Sequence, residues 1–288
     1  MPARSKVREA AVEDLRRLPT LREAALYERL AQDAVRCKLC EKLCALRPGE
    51  FGDCRARVNL AGKLHTLVYG NLSAIESRPI EIKPFFHYWP GSTALTFSTW
   101  SCNLDCAWCQ NYSLSKVPPD LLNWTYYSPE QIVELASRRG DQGLCASFQE
   151  PTLLTEWVAD AFTLAHQNGL YCCFVSNGYM TLETLRFLAD HGLDAIKIDV
   201  KGDSKNYRRY CGGVRGDGVV WRNAREAKRM GLHVEIVSLV VTGVNDDVAS
   251  LRELAQRHAK EVGVETPLHF TRYYPHMSSR GPQPRSPR

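Results

Sequence analysis

Short apolar runs rich in β-branched residues alternate with amphipathic stretches from Thr93 onward. This alternation predicts repeated strand–helix units around a parallel sheet, because such strands are buried on both faces while each covering helix has one apolar side. The predicted strands are residues 93–99, 144–148, 171–176, 195–200, 233–241 and 268–272. Six strands with five helices are too few to close an eightfold barrel, so we predict an α/β fold with an open, partial (βα)6-type barrel.

Two kinds of signal mark the ends of the predicted helices. The sequence Ser128-Pro129-Glu130-Gln131 combines a serine N-cap, a proline at the first helical position and a glutamine three residues after the cap. Later amphipathic stretches end near glycines, which adopt the left-handed conformation easily: Gly169, Gly192, Gly231 and Gly263. Because the loops at the carboxyl ends of parallel strands converge on one face, we expect the chemistry there.

The first ninety or so residues differ from the rest of the chain. A charged stretch that we expect to be helical up to about Gln32 is followed by a cysteine-rich segment and a region of short strands. We predict a small amino-terminal domain at residues 1–92, a barrel domain at 93–277 and a disordered tail at 278–288. Only a polar stretch follows the sixth strand, so we expect the last helix to be missing and that strand to be poorly covered.

Composition narrows the class of protein further. The 288 residues are 44% hydrophobic and 24% charged, which is enough apolar mass for one large or two modest cores. The net charge of +5 is modest and no basic block interleaves with aromatic residues, so nucleic acid is not indicated as a partner. The first twenty residues have no apolar core, and the apolar stretch at 233–244 is far shorter than the roughly 20 residues that span a bilayer. We expect a cytoplasmic protein without a membrane partner.

The eleven cysteines point to metal binding. In a chain without an export signal, thiols are kept reduced, so tightly spaced cysteines indicate a metal site and not a disulfide framework. Seven of them fall into two groups. The other four are isolated or lie in apolar runs, and we interpret them as structural: Cys145, Cys172, Cys173 and Cys211.

Cys102, Cys106 and Cys109 have the spacing Cys-x3-Cys-x2-Cys directly after the first predicted strand. Three thiolates on a short loop can each bind one iron of a 4Fe–4S cluster, whereas structural zinc takes four ligands and no fourth lies nearby. The fourth iron would then be open to the amino and carboxylate groups of S-adenosylmethionine. Trp108, between the last two cysteines, fits a cofactor contact. The alternatives are a zinc loop and three buried thiols.

The second group is Cys37, Cys40, Cys44 and Cys54, which supplies four thiolates within eighteen residues. Four thiolates suffice for a closed zinc site or for an auxiliary iron–sulfur cluster, and the sequence does not distinguish the two. Four unliganded thiols are a third alternative. Either metal would also help to fold a segment with little apolar core of its own.

Beyond the cysteine loop, several segments resemble the radical SAM superfamily, in particular the radical SAM member of the AmmeMemoRadiSam system, which is similar to pyruvate formate-lyase activating enzymes. The resemblance covers about residues 35–277. Its segments are IEIKPFFHYWPGS, CNLDCAWCQNYSLS, EPT, VSNGYMT, IKIDVKG, YCGG, LVVTGVND and RYYP.

The resemblance implies roles for residues at the predicted strand ends. Glu150 matches the glutamate that contacts the amino group of S-adenosylmethionine, although the glycines that precede it in the family are replaced here. Asn177 matches an asparagine beside the cofactor. Tyr274 stands where the activating enzymes carry a histidine near the cofactor. Without the resemblance, the position of Glu150 before a proline at a strand end predicts either an exposed acceptor for an ammonium group or the acidic residue at the start of a helix.

Asp199 and Lys201 match the family's aspartate-x-lysine at the end of the fourth strand. Together with Lys197 they place three charges on one face of a strand that should be buried. Such a face needs either a charged ligand or mutual pairing, so cofactor binding and an internal ion network are both open.

The leading hypothesis is a radical SAM enzyme that reductively cleaves S-adenosylmethionine to a 5′-deoxyadenosyl radical for hydrogen abstraction from an unknown small molecule or protein. It would need an external one-electron donor, flavodoxin- or ferredoxin-like. One alternative is an activase that places a glycyl radical on a partner enzyme. Another class of alternative is an iron–sulfur electron carrier or an inactive metal-binding homologue, neither of which needs the residues at successive strand ends.

Overall fold

The computed structural model describes residues 15–274, and its amino-terminal part is built from short antiparallel strands. These strands are β1 (Arg22–Glu23), β2 (Tyr27–Arg29), β3 (Val35–Cys37), β4 (Ala45–Leu46), β5 (Arg57–Leu60) and β6 (Lys63–Thr66). They form two sheets, with the orders β1–β6–β5 and β2–β3–β4. The predicted helix up to Gln32 is therefore wrong for residues 22–29, where pairing with later strands outweighs the charged local pattern.

Seven strands form the main sheet: β7 (Ala74–Pro79), β8 (Thr93–Ser98), β9 (Gly143–Ala146), β10 (Tyr171–Ser176), β11 (Ala195–Val200), β12 (His233–Val240) and β13 (Leu268–Arg272). They lie side by side in chain order, and β8 to β13 run parallel as predicted. The additional strand β7 pairs antiparallel with β8. The main sheet thus contains strands from both sides of residue 92, which we propose as the boundary between the amino-terminal domain and the barrel domain.

The described chain contains helices α1 (Tyr112–Ser115), α2 (Pro129–Arg139), α3 (Thr155–Gln167), α4 (Leu182–Asp190), α5 (Ser204–Tyr210), α6 (Gly218–Arg229) and α7 (Val248–Val262). The predicted start of α2 is confirmed, since Ser128 and Gln131 cap each other's backbone N–H groups. None of these helices is both long and apolar enough to cross a membrane.

The two faces of the main sheet bury different cores. Phe97, Phe174 and Ile196 pack toward the helices together with Trp157. The opposite face, at the amino-terminal half of the strands, buries Cys145, Cys173 and Ala195 against Ile80 and Phe85. We call residues 80–92, which supply this second core, the plug. The plug covers this interior face of the sheet from Ala94 on β8 to Ala195 on β11.

The last strand, β13, lies at the edge of the sheet and pairs with β12. None of its five residues is fully buried, and Phe270 is 47% exposed. The strand is therefore only partly covered by the described residues. The predicted tail at 278–288 lies outside the residues that the structure describes.

Candidate metal and cofactor site

The three predicted cluster ligands lie on the loop that follows β8. Cys102, Cys106 and Cys109 are partly exposed, whereas the other eight cysteines of the chain are buried. The loop begins at Ser101, whose left-handed backbone (φ 70°) turns the chain and whose N–H donates to the Leu114 carbonyl at 2.8 Å. The thiols therefore lie at the carboxyl rim of the parallel strands, where sites of α/β sheets form.

The segment after α5 holds this loop in place. The Ala107 N–H donates to the Tyr210 carbonyl at 2.8 Å, and Cys106 forms an isolated β-bridge with Cys211. A cavity of about 450 Å³ opens beside Cys106 and Cys109. Its lining also includes Lys116, Arg209, Gly212 and Gly213.

The surroundings give the loop thiols different acidities. Burial, followed by the charge of Glu150, raises the pKa of Cys102. A hydrogen bond from Cys211 lowers the pKa of Cys106 and the charge of Lys201 acts in the same direction, and together they outweigh the effect of burial. Because the thiolate is the form that binds metals, Cys106 is prepared to bind iron near neutral pH.

Asn177 follows β10 and reaches the cysteine loop. Its Nδ2 donates to Asn103 Oδ1 at 2.8 Å and lies 3.8 Å from Cys102 Sγ. Its Oδ1 accepts from the Tyr179 N–H at 2.9 Å, which fixes the orientation of the amide. The structure therefore brings the residue predicted after the third parallel strand directly to the first cluster ligand.

Glu150 lies beneath this contact, and the expectation of an exposed carboxylate is wrong: its side chain is 0% exposed. It accepts from Ser176 Oγ and the Asn177 N–H, each at 2.8 Å, and from the Thr152 N–H at 3.2 Å. The last bond makes Glu150 the cap of the 3-10 turn Pro151–Leu154, the alternative considered from the sequence. Burial raises its pKa, although these donors oppose the shift.

Lys197, Asp199 and Lys201 form an ion group at the end of β11. Lys197 donates to Asp199, and Lys201 Nζ lies 3.7 Å from the other carboxylate oxygen. Burial alone would raise the pKa of Asp199, but the two lysines lower it. Burial lowers the pKa of Lys201, but the charges of Asp199 and Cys106 outweigh this effect and raise it. The three charges are thus mutually paired, and Lys201 also faces the cysteine loop.

Three buried polar atoms near the loop have no hydrogen-bond partner within the described residues: Trp108 Nε1, Asn103 Nδ2 and Gln149 Oε1. The Trp108 ring is 3% exposed and packs against Tyr210 with 5.1 Å between the ring centroids. Unpaired buried polar atoms are costly, so such atoms mark positions where a polar ligand would bond. These three atoms and the three thiols together fit an iron–sulfur cluster with a polar cofactor beside it.

Tyr274 does not lie in this site. Its ring is 71% exposed and lies below the Arg272 guanidinium at 5.5 Å. Tyr273 is 6% exposed, and its N–H donates to the Val240 carbonyl at 3.0 Å. Side chains alternate along an extended chain, so Tyr273 takes the inward position and the predicted placement of Tyr274 is wrong.

The four amino-terminal cysteines lie together and line one small cavity with Arg57 and Asn103. Burial raises the pKa of Cys37 to about 12 and also raises the pKa of Cys40 and Cys54. Arg57 Nη2 donates to Glu156 at 2.8 Å, but its Nε and Nη1 have no hydrogen-bond partner in residues 15–274. A buried guanidinium with two unpaired N–H groups beside four thiols fits a negatively charged metal–thiolate group.

The sequence analysis did not predict two contacts at the site. Cys211, which we interpreted as structural, forms a hydrogen bond with Cys106. The only feature of the sequence that could have indicated this contact is the YCGG segment of the resemblance. Ser101 Oγ donates to the Cys54 carbonyl at 2.6 Å, which joins the two cysteine groups. No local pattern predicts this second contact, because the two residues are far apart in the chain.

Comparison with known proteins agrees with this geometry. Residues 98–255 match the family model of the Radical SAM superfamily. The uncharacterized protein MJ0808 of Methanocaldococcus jannaschii is 35% identical over 255 residues, which cover 88% of this chain and 75% of that protein. The crystal structure of Streptococcus suis SuiB bound to S-adenosylmethionine has a TM-score of 0.51 at 14% identity, covering 67% of this chain and 45% of SuiB.

A second crystal structure of SuiB has a TM-score of 0.50 at 15% identity and covers 66% of this chain and 41% of SuiB. The chain spans less than half the length of SuiB, and at this identity the likeness concerns the fold alone. The family match extends from the end of β8 across the cysteine loop to α7. The chain belongs to the radical SAM superfamily, and its cofactors are S-adenosylmethionine and an iron–sulfur cluster.

Proposed function

We propose that Cys102, Cys106 and Cys109 bind a 4Fe–4S cluster and that the protein is an enzyme that abstracts hydrogen from a small molecule or a protein. The observation that carries the proposal is the position of three partly exposed thiols on one loop at the carboxyl rim. With both cofactors bound and the cluster reduced by an external one-electron donor, the pair would supply reductive cleavage of S-adenosylmethionine to methionine and a 5′-deoxyadenosyl radical. The open mouth of the partial barrel would hold the substrate.

Residues of several strand ends would keep the cofactors in place. Lys201 favours the thiolate of Cys106, and Asn177 orients its amide beside Cys102. Trp108 Nε1 and the nearby unpaired amide atoms would bond to polar groups of S-adenosylmethionine. Glu150, which is buried, acts as a positioning residue because it holds the backbone of Asn177.

We also propose a metal group at the four amino-terminal cysteines. The four thiols line one small cavity with Arg57, whose guanidinium has two N–H groups without a partner in the described residues. These N–H groups would bond to the thiolate sulfurs of a zinc site or of an auxiliary iron–sulfur cluster. Both metals stay open.

The electron donor would be a small flavodoxin- or ferredoxin-like protein. The lining of the cavity beside Cys106 and Cys109 includes the ion pair of Lys116 with Asp105 and the guanidinium of Arg209, and Arg209 would attract an acidic partner. Membership of the AmmeMemoRadiSam system and the activase role both stay predictions, because the superfamily match does not distinguish them.

The test is the formation of 5′-deoxyadenosine by anaerobically reconstituted protein, reduced with dithionite and given S-adenosylmethionine. We expect 5′-deoxyadenosine and methionine from the wild type and from Cys172→Ala, a buried cysteine of β10 outside both groups. Cys106→Ala should abolish both products. Iron binding by the wild type without 5′-deoxyadenosine above that control would contradict the proposal and favour an electron carrier or an inactive homologue.

A further inference from the structure

A second polar cluster lies at the other end of the sheet, where the plug meets β12 and β13. Glu235 on β12 is 0% exposed, and its Oε2 lies 2.6 Å from His269 Nε2 and 3.5 Å from His87 Nδ1. Its Oε1 lies 3.0 Å from His233 Nε2. The ligand atoms of His87, Glu235 and His269 all lie within 4.8 Å of one another.

We propose that His87, Glu235 and His269 bind one divalent transition-metal ion that fastens the plug to the last two strands. Two imidazole nitrogens and one carboxylate oxygen suit zinc and its neighbours, whereas magnesium and calcium take oxygen ligands. Three protein ligands leave one position of a tetrahedron for water. This site is separate from the cysteine loop and depends on none of the cofactor assignments above.

The distances suit a single ion. Donors bound to zinc at about 2.0–2.1 Å in a tetrahedron lie about 3.4 Å from one another. The separation of 3.5 Å between His87 and Glu235 matches this value. The 2.6 Å contact of His269 is a hydrogen bond, and it would widen by about 0.8 Å when an ion replaces the shared proton.

The carboxylate is already oriented by its surroundings. The N–H groups of Phe86 and His87 donate to Glu235 at 3.1 and 2.9 Å. The His269 ring packs edge-on against Phe86, with 4.9 Å between centroids, and stacks with His87 at 5.7 Å. Such outer contacts fix the orientation of metal ligands. His87 is 58% exposed and gives an ion access from solvent.

A second group, His166, Cys172 and Asp194, also brings its ligand atoms close together. There Asp194 Oδ2 accepts from the Cys172 N–H at 2.7 Å and contacts His166 at 2.9 Å, much as Glu235 Oε2 accepts from the Phe86 N–H and contacts His269. The two groups differ in the third ligand. The thiol of Cys172 is fully buried, and burial raises its pKa well above the usual value. A metal ion would need that thiol as a thiolate, so this group serves as the matched comparison.

The experiment measures zinc bound by reconstituted protein dialysed anaerobically against chelator-buffered Zn²⁺, with iron determined in the same samples. His87→Gln and His269→Gln each remove one ligand and keep a polar side chain, and His166→Gln is the control. We expect the wild type and His166→Gln to bind one more zinc than either ligand variant, at equal iron content. Zinc at a hundredfold excess over its dissociation constant should raise the wild-type Tm by about 5 °C but not that of His87→Gln.

Equal zinc in the wild type and both ligand variants would overturn the proposal and leave a hydrogen-bonded ion group. A loss of zinc confined to His166→Gln would overturn it as well. Far-UV circular dichroism identifies a variant that fails to fold, and His87→Gln is the decisive one because the side chain is largely exposed.

Discussion

At the scale of single residues, Glu150 shows how burial changes a role that a motif suggests. A carboxylate that accepts from Ser176, Asn177 and Thr152 has no oxygen directed to solvent. It still acts on the cofactor site, because the backbone it holds carries the amide beside Cys102. We therefore treat Glu150 as part of the frame of the site.

Glu150→Gln is expected to weaken binding of S-adenosylmethionine about tenfold at unchanged iron content. The new amide nitrogen would face an N–H donor where an oxygen now accepts, so Asn177 would shift. Equilibrium dialysis of the reconstituted protein measures the dissociation constant, and Glu130→Gln on the exposed first turn of α2 is the control. Equal affinity in both variants and the wild type would contradict the positioning role.

Spacing predicted the three loop cysteines as metal ligands, and the family resemblance added Asn177 as a residue beside the cofactor. The three loop cysteines follow one strand, and Asn177 follows another, so the parallel arrangement of the strands predicts that they meet. The burial of Glu150 and the inward orientation of the Tyr273 side chain could not be predicted, because each depends on side chains from other parts of the chain. The contact between Cys106 and Cys211 was missed for the same reason.

At the scale of elements, a strand was predicted with the correct bounds where it is five or six residues long and has clear flanking residues. The bounds of β10, β11 and β13 agree with the prediction, since each is a stretch of five or six residues with several apolar or β-branched side chains, set off by turn residues or helix ends. The antiparallel β7 was not predicted as a strand of this sheet, because half of its residues are polar and none of them is buried at the sheet edge. The amino-terminal strands are mostly two or three residues long, too short for any periodicity.

The ion pair between Arg57 on β5 and Glu156 on α3 joins the amino-terminal part to the barrel helices. Both side chains are buried, at 1% and 9% exposure. Arg57→Leu should lower the free energy of unfolding by about 3–5 kcal/mol, because it leaves a buried carboxylate unpaired. The double variant Arg57→Leu/Glu156→Leu should lose less. Urea unfolding at matched iron content measures both, and an equal loss would contradict a contribution from pairing.

At the scale of the whole molecule, one hydrophobic core runs through both proposed domains. Val35 and Leu46 of the amino-terminal sheets belong to the same cluster as Trp157 and Phe174 of the barrel. The two cysteine groups are joined by the bond from Ser101 to the Cys54 carbonyl. A metal group at the amino-terminal cysteines would therefore lie close to the loop that carries the proposed catalytic cluster.

Two separate metal groups predict separable losses of metal. The double variant Cys40→Ala/Cys54→Ala should lose about half of the iron if both groups bind clusters of the same size, and it should keep the loop cluster. Cys145→Ala/Cys173→Ala, with the same number of buried cysteines removed, is the control. Iron and zinc analysis of the wild type and both double variants measures the loss. Unchanged iron and zinc in Cys40→Ala/Cys54→Ala would exclude a second metal group.

The plug also has a consequence for the order in which the chain assembles. Phe86 and His87 bond to Glu235 across 149 and 148 residues. A ribosome adding about 5–20 residues per second needs on the order of ten seconds to make that length of chain. These bonds cannot form before their acceptor has been synthesised, so the plug emerges early and is secured late. The packing of Ile80 and Phe85 on Cys145, Cys173 and Ala195 can form before that point, so apolar contacts place the plug first and the bonds to Glu235 fasten it afterwards.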